Sequence, residues 1–133
     1  GSIPAAARIY FAAVDVRDVA AAHVKAMVTP SAGGHRFPMG DKTFSLLDFS
    51  NTVRSATPEF AKRLPSRTVP DWMVRIFAFV DKDIRGNVGE LGVVRRIDSS
   101  EVEKLLGCKL IPTADAVAAT AKSLVEQGVV KRP

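Results

Sequence analysis

The chain has 133 residues, of which 47% are hydrophobic and 25% charged, and its formal net charge is +5. This size and apolar content predict one folded domain with its own core, and no apolar run reaches the roughly 18 residues that a membrane-spanning helix needs. The basic residues are dispersed and lack interleaved aromatic residues, which argues against nucleic-acid binding.

The first two residues indicate where native sequence begins, and the single cysteine indicates the redox environment of the chain. Gly1-Ser2 has the form of a remnant left by tag cleavage, so residues 3–133 are taken as native sequence. Cys108 is the only cysteine, which excludes an internal disulfide and suits a reducing cytoplasm. We expect this thiol to be buried. No His, Cys, Asp or Glu grouping has metal-ligand spacing, so no metal is predicted.

The first predicted elements are a strand and a helix. The apolar, aromatic run Tyr10–Val14 predicts a strand that is covered on both faces. Asp15 then stands where a helix N-cap is favoured, and Thr29-Pro30 ends the helix. Helical spacing predicts a buried stripe, in which His23 is a core histidine: Val16, Val19, Ala20, His23, Val24 and Met27.

A second strand is predicted at His35–Met39. A strand, a helix and a strand within this distance form a crossover unit, so the two strands are expected to be parallel. Parallel sheets occur with both faces covered and with several strands present. We therefore expect further parts of this fold to lie outside the chain.

Two helices are predicted in the middle of the chain. Ser45 and Asp48 form a capping box for a helix that ends near Ala56. A polar connector from Glu59 to Ser66 follows, and Pro70-Asp71 begins the next helix. The apolar stripe of that helix is Trp72, Met73, Ile76, Phe77 and Val80.

Two more helices are predicted near the end. Ser100 and Glu103 suggest a capping box for a short helix that buries Val102 and stops at Gly107. The last helix runs from about Thr113 to Glu126. Its predicted buried side consists of Val117, Thr120, Ala121, Leu124 and Val125.

The glycines Gly86, Gly89 and Gly92 match the G-x-x-G-x-x-G spacing of a nucleotide-binding loop. Such a loop needs a buried strand before the glycines and a helix N-terminus after them. Neither neighbour fits, so we predict a turn-rich connector from Asp81 to Gly92 and no cofactor site.

Three stretches in order carry a resemblance to a known family: Val14–His23, Leu64–Arg75 and Arg96–Gly107. They resemble the second half of extended short-chain dehydrogenases/reductases, in the NAD-dependent epimerase/dehydratase superfamily. The similarity is closest to the dihydroflavonol-reductase-like NAD(P)-dependent oxidoreductases. The resemblance implies an α/β fold: the C-terminal fragment of a Rossmann-type enzyme, mostly helical with a few short parallel strands.

The resemblance also implies which parts of the enzyme are absent. Catalysis in this family uses a glycine-rich first turn and a Tyr-x-x-x-Lys pair, whereas Tyr10 is the only tyrosine here and Val14 stands four positions on. Residues 3–133 are therefore expected to be the substrate-binding portion of an oxidoreductase that reduces a ketone or aldehyde with NAD or NADP. No catalytic or cofactor-binding residue is assigned, and the isolated chain is expected to be inactive.

Six residues are candidates for contact with a small carbonyl or alcohol substrate: Phe11, Val14, Trp72, Met73, Phe77 and Arg95. The first five have core packing as their alternative role. Arg95 with Arg96 would bind a diphosphate if the parent were a sugar-nucleotide epimerase or dehydratase. A non-catalytic redox-sensing or interaction module is the other alternative. Uncovered apolar helix faces predict self-association of the fragment.

Overall fold

The structure is a computed structural model that describes residues 5–130; the predicted tag remnant Gly1-Ser2 lies outside them. The described residues form a mostly helical fold with one small sheet. The elements are β1 (Tyr10–Ala12), α1 (Val16–Val28), β2 (Thr43–Ser45), α2 (Leu46–Ala56), α3 (Asp71–Phe77), α4 (Lys82–Asn87), α5 (Ser100–Leu106) and α6 (Thr113–Glu126). Short 3₁₀ helices occur at Pro30–Ala32, Pro58–Arg63 and Val88–Glu90.

Asp15 caps α1 as predicted and is buried. Its Oδ1 accepts hydrogen bonds from the backbone N–H of Arg17 at 2.8 Å and from Arg17 Nε at 2.9 Å. Its Oδ2 accepts one from Arg17 Nη2 at 2.7 Å. The side-chain hydrogen bonds from Arg17 are the main reason that the pKa of Asp15 falls from 3.8 to about 2.

This depressed pKa predicts a pH-dependent contribution to stability. A carboxylate whose pKa is lower in the folded state stabilises the fold above pH 3.8, and this contribution is lost as the pH falls towards 2. Asparagine keeps the cap but not the charge, so Asp15→Asn should lower the free energy of unfolding by about 1 kcal/mol at pH 7. Urea unfolding at pH 7 and pH 3 checks this. A difference from the unmodified chain that stays constant with pH would contradict it.

The buried face of α1 is not the predicted one. Asp18 and Ala22 are buried towards α5, whereas Val16, Val24 and Met27 are 76%, 65% and 85% exposed. His23, predicted to lie in the core, is exposed, and its Nδ1 lies 2.8 Å from the carbonyl of Val19 in the same helix. The helix is apolar on two sides, and a contact remote in sequence selects one of them: Asp18 Oδ2 accepts the backbone N–H of Ile111 at 2.7 Å.

The predicted parallel pair of strands is also wrong. β1 pairs antiparallel with β2, with Tyr10 opposite Ser45 and Phe11 opposite Phe44, and Phe11 is half exposed instead of covered on both faces. His35–Met39 forms no strand, because the described residues supply no sheet on which a parallel crossover could pack. Its Phe37 and Met39 pack against the core instead.

The core is centred on Val102 of α5, which has no exposed surface. The buried Ala22 and Leu110 join it, and four partly buried side chains surround them: Val14, Phe37, Met39 and Leu106. α5 ends at Gly107 with φ +75°, as predicted. Its predicted capping box does not form, because the helix begins one position earlier: Ser99 is the cap residue, and its hydroxyl bonds the backbone of Gly40.

Helices α2 and α6 have the predicted bounds. The capping box of α2 forms, with Ser45 Oγ accepting the N–H of Asp48 at 3.1 Å and Asp48 Oδ2 accepting the N–H of Ser45 at 2.9 Å. At the start of α6, the N–H of Thr113 donates to Asp41 Oδ2 at 2.8 Å. The predicted buried side of α6 lines an open apolar groove of about 490 Å³ that α2 also borders.

Two smaller expectations are corrected. The predicted connector from Glu59 to Ser66 largely forms the 3₁₀ helix Pro58–Arg63, which buries Phe60. Cys108 is exposed and not a buried thiol, because it follows the left-handed turn at Gly107 and precedes the buried Leu110.

Candidate functional site

A cavity of about 840 Å³ lies between residues 5–9, residues 67–70, α3 and α4, and we call it the α3–α4 cavity. Its walls are mainly apolar and include Ile9, Val69, Met73, Val74, Phe77 and Ile84. Arg67, Asp83 and Asn87 add polar groups. A volume of several hundred Å³ with apolar walls and a few polar groups is typical of a small-molecule site.

Helix α3 supplies one wall of this cavity. It begins at Asp71, directly after Pro70, as predicted. Met73 and Phe77 are four residues apart and therefore lie on the same side of the helix, where both line the cavity. The rest of the predicted stripe points elsewhere, since Trp72, Ile76 and Val80 are exposed and do not line it.

Residues 5–9 form the opposite wall and are held by backbone hydrogen bonds. Ala6 makes a parallel bridge to Thr68, in which the N–H of Ala6 donates to Arg67 O at 2.9 Å and the N–H of Val69 donates to Ala6 O at 2.8 Å. The N–H of Gly92 donates to Arg8 O at 2.8 Å. Residues 5–9 are therefore held in place by hydrogen bonds to two separate segments, although they are not part of a continuous sheet.

An ion pair joins the two walls. Arg8 donates from Nε to Asp71 Oδ1 at 3.0 Å and from Nη2 to Asp71 Oδ2 at 2.6 Å. These side-chain hydrogen bonds raise the pKa of Arg8 and lower that of Asp71. Because Arg8 is half exposed, the pair contributes little to stability. Its two-point geometry instead sets the orientation of α3 against residues 5–9.

Helix α4 supplies the third wall, in a region predicted to be a turn-rich connector. Asp81 caps it by accepting the N–H of Asp83 at 2.8 Å, and Arg85 Nε donates to Ala78 O at 2.9 Å. Gly86 lies within this helix. The Asp81 cap and the hydrogen bond of Arg85 stabilise this short helix. The glycines in and after it made the helix hard to recognise from the sequence.

Gly92, beyond α4, has φ +74°. A Cβ atom at this position would lie 2.9 Å from Arg8 Nη2. Glycine therefore suits both the left-handed backbone and the close approach of the guanidinium group that holds α3.

The structure brings two of the six predicted substrate residues together, Met73 and Phe77 in the α3–α4 cavity. Val14 lines the groove beside α2 and α6 and also packs on the core. Phe11 and Trp72 are exposed and line neither space. The role of all six in substrate binding stays a prediction.

Arg95 does not line the α3–α4 cavity; it pairs with Glu90, which accepts hydrogen bonds from two of its guanidinium nitrogens. This pairing raises the pKa of Arg95 and lowers that of Glu90. Arg96 lines a separate cavity of about 380 Å³ together with Lys42. The two neighbouring arginines therefore do not converge on one space.

Sequence reasoning missed Arg67, Asp83 and Asn87. No spacing pattern distinguishes these polar residues, and they come together because α4 folds back towards residues 67–70. Among residues 5–130, no cluster of three or more His, Cys, Asp or Glu side chains could hold a metal ion. No helix in the same range is long and apolar enough to span a bilayer.

The chain is similar in sequence and in fold to known reductases. The sequence matches no family model. It is 33% identical over 120 residues to ketoreductase azaE of Aspergillus niger, a match that covers 90% of this chain and 30% of that protein. The chain is similar to the C-terminal part of a reductase of the extended short-chain dehydrogenase/reductase type.

Solved structures of reductases share the fold of this chain. Yeast methylglyoxal/isovaleraldehyde reductase Gre2, complexed with NADPH, superposes with a TM-score of 0.66 at 20% identity, over 94% of this chain and 36% of that one. Candida albicans Gre2 with NADPH gives 0.61 at 23% identity, over 95% and 32%. A reductase engineered to attenuate substrate inhibition gives 0.63 at 22%, over 93% and 32%.

The matched part is about a third of each relative and lies towards its C-terminus. The fold predicted from the resemblance, a mostly helical C-terminal part of a Rossmann-type reductase, is therefore confirmed. The detail of parallel strands is corrected by the antiparallel β1–β2 pair.

Proposed function

We propose that the chain is the substrate-binding C-terminal portion of an NADPH-dependent reductase that acts on a small ketone or aldehyde. The α3–α4 cavity is the observation that carries the proposal, because it is a largely apolar space of small-molecule size. The names of the relatives, a ketoreductase and a methylglyoxal/isovaleraldehyde reductase, support a carbonyl substrate. NADPH in both Gre2 structures supports the cofactor.

The proposed role of the cavity is to bind and orient, not to react. Ile9, Met73 and Phe77 would bury the apolar skeleton of the substrate, and burial there removes water from its surface. Arg67 and Asn87 carry hydrogen-bond donors that suit a carbonyl or hydroxyl oxygen. Because the wall Arg67–Val74 falls within the stretch that resembles dihydroflavonol reductases, we propose that type of specificity.

Hydride and proton transfer would depend on parts of the relatives that this chain does not match. Tyr10 has Val14 four positions on, so it lacks the lysine that would favour its phenolate. We therefore propose that the isolated chain neither binds NADPH tightly nor reduces carbonyls. A cytoplasmic location, which would keep the exposed thiol of Cys108 reduced, belongs to the same proposal.

The alternative that the parent is a sugar-nucleotide epimerase or dehydratase would be supported by an anion pocket that Arg95 and Arg96 share. Arg95 is instead paired with Glu90, and Arg96 lines a different cavity.

The other alternative, a non-catalytic redox-sensing or interaction module, can be distinguished from the reductase by one measurement. If the full reading frame that contains this chain oxidises NADPH in the presence of isovaleraldehyde, the reductase proposal is supported; if it binds NADPH without turnover on any small carbonyl, the non-catalytic module is favoured.

Substitution in the cavity tests the proposed binding role in that full-length protein. We expect Phe77→Ala to raise KM for isovaleraldehyde about 10-fold, since it removes roughly 1.4 kcal/mol of apolar contact. The Kd of NADPH should change less than about two-fold, a small free-energy difference. Steady-state kinetics with NADPH absorbance and a separate cofactor titration measure both quantities.

Val80→Ala is the matched control, because Val80 is 89% exposed and does not line the cavity. It should leave KM unchanged. An unchanged KM for Phe77→Ala, or an equal rise of KM for the control, would contradict the proposed role of the cavity in substrate binding.

A further inference from the structure

The wall of the α3–α4 cavity that residues 5–9 form is built largely from small side chains. Ala5, Ala7 and Ile9 line the cavity, whereas the two residues between them do not, the alternation that is usual in a β-strand. Two of these three lining residues are alanines, each with a single methyl group as its side chain. Most of this wall therefore takes up little of the cavity.

The backbone on both sides of Ala7 is held by hydrogen bonds to other segments. Before it, Ala6 donates its N–H to Arg67 O at 2.9 Å and accepts the N–H of Val69 at 2.8 Å. After it, the carbonyl of the next residue accepts the N–H of Gly92 at 2.8 Å. This wall can move outward only if such bonds are broken, at a cost in stability. The additional atoms of a larger side chain at position 7 would therefore occupy the cavity.

The volume of the cavity exceeds what a small aldehyde fills. Isovaleraldehyde has roughly six non-hydrogen atoms, and at about 30 Å³ of liquid volume for each water-sized atom it would take up on the order of 180 Å³. This is a minor part of the 840 Å³ of the cavity. A carbonyl compound with a much larger apolar body therefore also fits, as long as the walls stay small.

We propose that Ala7 sets the upper size limit of the ligand that the α3–α4 cavity accepts, and that its methyl group leaves room for a body as large as naphthalene. Met73 and Phe77 line the cavity from α3, and their apolar side chains suit the faces of such rings. A leucine at position 7 would put an isobutyl group into the space that the rings occupy. Because a clash with one ligand and not with another changes specificity, Ala7 is a specificity-determining residue. This role of Ala7 rests on the proposed function, since it concerns the same cavity.

Binding of a large ketone to the chain itself tests this role without turnover. The probe is 2-acetylnaphthalene, and isothermal titration calorimetry measures its Kd. Ala7→Leu should raise this Kd about 10-fold or more, the effect of a steric misfit of one methylene or more in an apolar pocket. Ala7→Ser keeps a small side chain and should change the Kd less than about two-fold. Ala20→Leu, the same enlargement at an exposed residue of α1, is the matched control and should leave the Kd unchanged.

A smaller enlargement covers the case in which Ala7→Leu does not fold, since overpacking destabilises a protein. Ala7→Val adds less volume and should raise the Kd of 2-acetylnaphthalene by an intermediate factor. Circular dichroism and urea unfolding show which of the two variants is folded under the conditions of the titration.

Kinetics of the full-length protein separate the role of Ala7 from the reductase proposal. Ala7→Leu should lower kcat/KM for 2-acetylnaphthalene about 10-fold and should change kcat/KM for isovaleraldehyde less than about two-fold. A full-length protein that oxidises NADPH with neither compound would refute the reductase proposal alone, and the titration would still decide the role of Ala7. A folded Ala7→Leu or Ala7→Val chain that binds 2-acetylnaphthalene as tightly as the unmodified chain would overturn it. So would an unmodified chain that does not bind this ketone, or an equal loss of binding in Ala20→Leu.

Discussion

Val102→Ala is expected to lower the free energy of unfolding by about 2.5 kcal/mol, through lost apolar burial and the cavity that remains. Val102 has no exposed surface and lies at the centre of the cluster with Ala22 and Leu110. In the described residues, Val102 and Thr113 are the large side chains that are fully buried. Because so few side chains are this deeply buried, one loss should remove a large share of a stability that for most domains totals about 5–15 kcal/mol.

Urea unfolding monitored by circular dichroism at helical wavelengths measures this change. Val80→Ala removes the same two methyl groups from an exposed position and should change the unfolding free energy by less than about 0.5 kcal/mol. If both substitutions had equal effects, α5 would not be the centre of the core.

Asp18→Ala is expected to cost about 2 kcal/mol, because it leaves a backbone N–H without its acceptor in a largely buried setting. The carboxylate of Asp18 is buried and accepts the N–H of Ile111 at 2.7 Å, which ties the first turn of α1 to the segment before α6. Leu110, the neighbour of Ile111, is part of the core cluster. Loss of this bond should therefore loosen the core contact as well as the connection.

Asp18→Asn is the graded comparison, since its amide oxygen can still accept the hydrogen bond, and it should recover about half of the lost stability. Hydrogen exchange at the Ile111 amide should accelerate strongly in Asp18→Ala and moderately in Asp18→Asn. Unchanged exchange in both variants would show that this hydrogen bond does not hold the two segments together.

Helix bounds were predictable where the determinants are local. The capping box of Ser45 and Asp48 sets the start of α2, and Pro70 and Pro112 precede the starts of α3 and α6. Each determinant acts within about four residues, so it can be recognised directly in the sequence. The predicted cap residue of α5 was Ser100, whereas the structure has Ser99 in that position. The hydroxyl of Ser99 bonds the backbone of Gly40, a partner too distant in sequence to be recognised.

Burial was less predictable because it depends on distant partners. The inward face of α1 is selected by Ile111, 93 positions from Asp18. The segment His35–Met39 has a composition that suits a strand, but strand formation requires a sheet that the described residues do not provide.

The candidate site shows the same division between local and distant determinants. Met73 and Phe77 share a face because of the helical repeat, which the sequence reveals. Asp83 and Asn87 reach the cavity through α4, whose cap at Asp81 was obscured by the nearby glycines. The engagement of Arg95 by Glu90 depends on the path of the chain between them, which no periodic pattern specifies.

The hydrogen bonds that close the fold also determine when it can form. The contacts between Asp18 and Ile111, Asp41 and Thr113, and Arg8 and Asp71 span 93, 72 and 63 positions. Contacts between remote segments make folding slow, since a long loop must close before any of them forms. During synthesis, α1 leaves the ribosome well before α5 and the Ile111 segment, so the side of α1 that packs on them remains uncovered by them until the Ile111 segment has also been translated.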